Sequence, residues 1–356
     1  MARSVLALLI AALVAAACSS PQVAGPSATP VAGSPSERPS EAPSDPASPS
    51  ETPAPSGPVE HPATGLTLVQ WPDPADPASQ VFVVEADGSL RQVTGASGSM
   101  PGAATPAWSP DGEWLAFSSA KVGAPVIPPV GVVRADGSEE HVIGLGVNPR
   151  WSPDSTRVVF QEVVDIERPL LMFLAEIESG DMYDIGLGEQ PQFTPDGRVA
   201  FIEPLGETTA GFRLMTRILD SGDPGTEIAR NAFGDWSPDG SAVLLESEDG
   251  VFLAGADGSN PRDLVGGWGP AWSPDGSLVA VNVGHNSDAV PILAVIDLDG
   301  RVIWSNALGE SAAWSPDGTR IAVEVSYPEP AVHVLDAATG EILAEYPDSI
   351  DPTWVP

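Results

Sequence analysis

The sequence predicts an all-β fold, a propeller of seven four-stranded blades. Three observations carry this: one motif recurs six times, its period is about forty residues, and the two ends of the chain each hold part of one further blade. The motif runs PAWSPDGEWLAFSS from Pro106, PRWSPDSTRVVFQE from Pro149, PQFTPDGRVAFIE from Pro191, GDWSPDGSAVLLES from Gly234, PAWSPDGSLVAVNV from Pro270 and AAWSPDGTRIAVEV from Ala312. With Trp354 near the end, its aromatic positions are Trp108, Trp151, Phe193, Trp236, Trp272, Trp314 and Trp354, spaced by 43, 42, 43, 36, 42 and 40 residues. Such a period is that of a propeller blade.

Each element of the repeat has a physical reading. Ser-Pro-Asp-Gly is a tight turn: proline pre-sets φ, aspartate bonds to nearby backbone, and glycine takes the positive φ. Ser155 replaces that glycine once, which predicts a strained turn or one of another type. The β-branched and aromatic run after the turn is a strand. Further strands, such as 81–84, 251–253 and 292–296, run into Asp-Gly turns at Asp87-Gly88, Asp136-Gly137, Asp257-Gly258 and Asp299-Gly300, and a fourth strand follows each. A blade is apolar on both faces, so the repeated ring is expected to fill the gap between neighbouring blades.

The ends complete the ring. Residues 65–95 read as a blade lacking its first strand, and PTWVP at the C-terminus reads as a first strand lacking its blade. Joined, they make seven blades and remove the exposed sheet edges. Left unjoined, the count is six.

The W-S-P-D-G turn, the I/L-A-F/V strand and the later strand ending in D-x-D-G resemble the TolB-like repeats (PD40, WD40-like) and the propellers of prolyl oligopeptidases. The resemblance covers residues 64–356. It implies a β-propeller and no one function. TolB proteins carry an α/β domain ahead of the propeller, where this chain has a Pro/Ser-rich segment. No G-x-S-x-G hydrolase motif is present.

Residues 1–17 read as an export signal: Arg3 and the amino terminus are positive, Ser4 to Val14 form an apolar core too short to span a membrane comfortably, and three alanines follow. Cys18, the only cysteine, stands where a lipobox places it, although Ala15 holds a position that is usually leucine. The resemblance implies a bacterial lipoprotein, cleaved before Cys18, acylated there, and held by membrane lipid on the extracytoplasmic side, at the cell surface or in the periplasm. Residues 19–63 hold 12 prolines and 10 serines in 45 positions. Such a segment buries too little surface to offset its ordering entropy and is expected to be a disordered tether. Its reach is roughly 40 Å as a coil and roughly 140 Å extended.

The net charge of −34, from 49 acids against 15 bases, repels phosphate backbones and sets nucleic-acid binding aside. One cysteine forms no intrachain disulfide. His61, His141, His285 and His333 show no metal-ligand spacing, so neither zinc nor a cofactor is expected. Asp297 and Asp299 offer two carboxylates to a cation, but a strand-to-turn junction accounts for both. A monomer is expected.

Candidate ligand positions come from the repeat. The residue before each aromatic is Ala107, Arg150, Gln192, Asp235, Ala271, Ala313 or Thr353, and the three bulky polar ones fall in consecutive blades. The second strand of several blades closes on a polar residue: Gln161, Glu246, Asn282 and Glu324. Trp268 lies in a glycine-flanked loop, and His285 in the loop 284–288. One expectation is a polar pocket at the channel mouth, with Arg150 as its cationic centre, Trp268 as an aromatic wall, and Gln192, Asp235, His285 and Glu324 around it. The alternative is that Arg150 and Asp235 are structural ion pairs and Trp268 is packing. The functional expectation is a non-enzymatic scaffold for a protein, peptide or glycan. The alternative is a hydrolase or lyase acting on extracellular glycans or peptides through channel carboxylates such as Asp235 and Glu324.

Overall fold

The computed structural model describes residues 61–70, 78–95, 100, 102–119, 127–162, 170–206, 211–219, 221–283, 292–326 and 329–356. Cys18, His285 and the segments read as signal and tether up to residue 60 lie outside the described residues.

Among the described residues, twenty-eight strands form seven four-stranded antiparallel sheets. The first sheet begins with β1 (Leu66–Gln70), β2 (Gln80–Val84) and β3 (Leu90–Gln92). Blade 2 is β4 (Ala104–Trp108), β5 (Trp114–Ser118), β6 (Pro129–Arg134) and β7 (His141–Leu145). Blade 3 is β8 (Val147–Trp151), β9 (Arg157–Gln161), β10 (Leu171–Glu176) and β11 (Met182–Leu187). Blade 4 is β12 (Glu189–Phe193), β13 (Val199–Pro204), β14 (Phe212–Arg217) and β15 (Thr226–Arg230). Blade 5 is β16 (Phe233–Trp236), β17 (Ala242–Ser247), β18 (Gly250–Gly255) and β19 (Arg262–Val265). Blade 6 is β20 (Gly267–Trp272), β21 (Leu278–Val283), β22 (Ile292–Asp297) and β23 (Val302–Leu308). Blade 7 is β24 (Ala312–Trp314), β25 (Arg320–Val325), β26 (Ala331–Asp336) and β27 (Ile342–Pro347). The last strand, β28 (Ser349–Trp354), pairs with β1 and completes blade 1, Leu66 standing opposite Trp354 and Gln70 opposite Ser349. The count is therefore seven, with closure by the C-terminal strand as the terminal fragments predict.

The turn chemistry is as the motif predicts. In blade 2 the Ser109 hydroxyl donates to the Asp111 carboxylate at 2.6 Å and accepts from the backbone N–H of Trp114 at 2.9 Å. Asp111 also takes the N–H of Glu113 at 3.0 Å. The same pattern holds Asp239, whose carboxyl is lowered to about 2 by hydrogen bonds from Ser237 and Ser241. Ser155 keeps the turn type of its glycine counterparts and takes φ of 61° itself, so strain rather than a new geometry is the outcome. Its hydroxyl accepts the N–H of Asp111 from the neighbouring turn at 3.1 Å. At Asp297 the carboxylate is engaged by the N–H groups of Asp299 (3.0 Å) and Arg301 (2.8 Å), a turn rather than a cation cradle.

The apolar core is divided among the blade junctions. Between blades 2 and 3, Ala116, Val130 and Val132 meet Trp151, Val158 and Phe160. Between blades 5 and 6, Leu244 and Val251 meet Trp272, Val279, Val281 and Ile296. Between blades 7 and 1, Ala322, Val332 and Val334 meet Leu66, Leu68, Val84 and Trp354. The ring is thus stabilised joint by joint.

Candidate functional site

The innermost strand of each blade carries the repeat aromatic, and the residue just before it is partly open to solvent in all seven blades: Ala107, Arg150, Gln192, Asp235, Ala271, Ala313 and Thr353. Side-chain alternation along a strand turns these residues away from the neighbour that receives the aromatic ring. They line the channel, and three adjacent blades make that wall polar.

Two kinds of hydrogen bond join neighbouring blades beside the channel. The first is an indole hook. Trp151 Nε1 donates to the Ala107 carbonyl (2.9 Å), Trp272 to Asp235 (3.0 Å), Trp314 to Ala271 (3.1 Å) and Trp354 to Ala313 (3.0 Å). Trp108 donates instead to the buried Thr67 hydroxyl at 2.8 Å. The second is a rim tie. Five innermost strands shift register three residues before the aromatic, at Thr105, Asn148, Gln190, Gly269 and Asp351, all with positive φ. The bulge frees a backbone N–H that bonds to the neighbouring blade: Asn148 to the Ser118 hydroxyl (3.2 Å), Gln190 to the Gln161 side chain, Gly269 to Glu246 (3.0 Å), Asp351 to Glu324 (3.0 Å) and Thr105 to the Asp351 carboxylate (3.2 Å).

These ties place the candidate residues. Gln161, Glu246 and Glu324, the polar ends of second strands, hold the next blade's bulge. Asn282 does the same job differently, donating to the Glu310 carbonyl at 2.6 Å while its own Oδ1 is buried without a protein partner. Trp268 is half-buried in β20. Arg150, Gln192 and Asp235 stand on β8, β12 and β16, in the consecutive blades 3, 4 and 5. Gln192 Nε2 donates to the Gly234 carbonyl at 2.7 Å. Among the described residues, neither Arg150 nor Asp235 makes an ion pair.

Asp351 and the bulges were not read from the sequence. Their one signal is an offset of three before each aromatic, at which Asn148, Gly269 and Asp351 are residue types that tolerate positive φ.

The carboxyls along this wall are shifted upward. Burial pushes Asp235 up to about 7, opposed by the backbone N–H of Trp272. Burial also pushes Glu324 up to about 7, with the charges of Asp351 and Glu310 adding and the Asp351 N–H opposing. Depth in the ring lowers the Arg150 guanidinium, and Asp351 pulls it back. The Arg150 side chain is nevertheless exposed to channel solvent, so water screens its charge more than depth alone implies.

A pH dependence follows. A carboxyl whose folded pKa lies above its unfolded value favours folding while protonated. That stabilisation is present below about 4 and lost as pH rises to about 7. The double variant Asp235→Asn, Glu324→Gln is expected to exceed the parent in stability by about 2 kcal/mol at pH 8, after allowance for channel water, and by little at pH 4. Thermal melts at the two pH values check it; a gain equal at both would refute the assignment.

No family model and no curated protein matches the chain. Solved structures do. TolB from Acinetobacter baumannii is 17% identical with a TM-score of 0.53, over 82% of this chain and 67% of that one. An oligogalacturonate lyase in complex with manganese is 16% identical with a TM-score of 0.53, over 79% of this chain and 85% of that one. Prolyl oligopeptidase B from Galerina marginata is 15% identical with a TM-score of 0.56 over 76% of this chain, which spans about half of it, 48%. In fold, the chain is a TolB-like, seven-bladed β-propeller.

Proposed function

We propose that the chain is a membrane-anchored, extracytoplasmic lipoprotein whose propeller binds an extended segment of a protein partner at the channel mouth, without itself catalysing a reaction. One observation carries the reading. Arg150, Gln192 and Asp235 give the channel a polar wall on three consecutive blades, whereas the other four blades present alanine or threonine there. Charged and amide groups open to solvent beside a preformed channel are what a binding site needs to orient a ligand. Anchoring rests on Cys18 and its alanine-rich approach.

Crosslinking in intact cells tests the reading. The anchored protein is expected to capture a reproducible partner that Arg150→Ala loses by about tenfold or more while its melting temperature holds. Equal capture by both forms would overturn the assignment of the surface. Cys18→Ala is expected to leave the membrane fraction, and its retention there would overturn the anchor.

A second reading has one observation in its favour. Asp235 and Glu324 both titrate near neutrality, as general acids do. The fold likeness to a lyase and an oligopeptidase directs the search to uronate polymers and peptides. Turnover lost in Asp235→Asn and in Glu324→Gln would establish it.

A further inference from the structure

Among the described residues, one blade junction lacks both the indole hook and the rim tie. Between blades 4 and 5, Trp236 turns its indole N–H back to the Ala256 carbonyl of its own blade at 3.1 Å, so no hook reaches blade 4. The rim tie is missing as well. β16 pairs with β17 in regular register, without the bulge, and Glu203 of blade 4 is taken by Arg213 instead. Gln192 Nε2 on the Gly234 carbonyl and a ring contact between Phe212 and Phe233, centroids 5.0 Å apart, stand in their place. Blade 4 likewise gives no hook to blade 3, because Phe193 on β12 has no N–H to give.

At this junction an aromatic ring and a carboxylate stand on one short strand. Phe233 opens β16 and is 38% exposed. Asp235 lies two residues further in, its carboxylate making no ion pair among the described residues, while its backbone carbonyl takes the indole N–H of Trp272. Gln192 reaches across from β12, and since its nitrogen is committed to Gly234, its oxygen is left as an acceptor. The second and third strands of blade 5 are joined by two residues, Glu248 and Asp249, where the other blades use five to ten. The chain as a whole carries −34 and draws cations.

We propose that a lysine or arginine side chain of the peptide partner enters the channel at the junction of blades 4 and 5, laying its stem on Phe233 and its cationic head on the Asp235 carboxylate and the Gln192 carbonyl oxygen. The inference rests on the reading that the mouth takes a peptide, and it names the side chain that enters. A long aliphatic stem ending in a charge suits an exposed ring beside a deep carboxylate. Arg150 stands on blade 3, two blades away, and makes no ion pair with this acid.

Calorimetry on the folded protein tests it. The probe is a capped heptapeptide with one arginine among glycine, serine and alanine; its citrulline twin has the same shape without the charge, and agmatine supplies the same head without the peptide. The arginine peptide is expected to bind, with Asp235→Asn weakening it about tenfold or more, Phe233→Ala about threefold or more, and Asp257→Asn, a charge control on an exposed turn of the same blade, leaving it unchanged. The citrulline peptide is expected to bind at least tenfold more weakly. Equal binding of the twin, or equal loss in Asp257→Asn, would overturn the proposal, and agmatine binding as tightly as the peptide would overturn its peptide part. Arginine-peptide binding lost in Arg150→Ala but kept in Asp235→Asn would sink this inference alone. No captured partner and no peptide binding would sink the reading beneath it.

Discussion

A chain ending at Pro347 is expected not to form a stable monomer, although it lacks only nine residues. β28 is the innermost strand of blade 1, and without it β1 becomes an open edge along Leu66 to Gln70. Trp354, only 6% exposed, would leave the cluster it shares with Leu66, Leu68, Val84, Val332 and Val334. Asp351 would go too, and with it the N–H held by Glu324 of blade 7 and the carboxylate that holds Thr105 of blade 2. Losing a buried tryptophan alone costs about 3–5 kcal/mol. Added to a strand of hydrogen bonds, that approaches the whole stability of a typical domain, about 5–15 kcal/mol. Chemical denaturation and limited proteolysis of the truncated chain check this. A cooperative transition at the parent's midpoint would mean that blade 1 is dispensable and that the ring need not close.

Trp272→Ala is expected to lose about 3–5 kcal/mol, and Trp272→Phe about 1–2 kcal/mol. The two differ in what they remove. Alanine empties a cleft among Leu244, Val251, Val279, Val281 and Ile296 at the junction of blades 5 and 6. Phenylalanine keeps most of that contact but deletes the N–H given to the Asp235 carbonyl, which then loses its 3.0 Å partner. Phe193 shows that the fold admits phenylalanine at this repeat position. Denaturation of both variants measures the split; equal losses would mean that the hook contributes nothing beyond the ring's volume.

The repeat made much of the fold legible. The turn residues, the apolar runs and the terminal half-blades follow directly from local chemistry, and the structure has them where they were expected. Even the odd spacing of 36 between Trp236 and Trp272 has its counterpart in the two-residue connection of blade 5. The candidate site was legible only at one position of the repeat. Arg150, Gln192 and Asp235 stand out because alternation along a strand puts one repeat position on the channel in every blade, and only these three fill it with a bulky polar side chain. The rim ties were hidden, because their donors are backbone groups and their positions are filled by Thr105, Asn148, Gln190, Gly269 and Asp351, which share a conformation and not a side chain. Glu324 looked free for a ligand because its partner, the N–H of Asp351, comes from the far end of the ring closure. His61, read as part of the tether, accepts the Ala63 N–H through Nδ1 at 3.2 Å and gives its own N–H to the Ala86 carbonyl at 3.1 Å, which ties it to blade 1.

The indole hooks have an evolutionary consequence. Four of them end on the backbone carbonyl of the residue that faces the channel, a group every amino acid possesses. The side chain at that residue can therefore change without disturbing the joint. Ala107, Asp235, Ala271 and Ala313 hold their neighbours alike, through the same atom. Selection is left free to rewrite the wall of the channel one blade at a time while the ring that supports it stays constant.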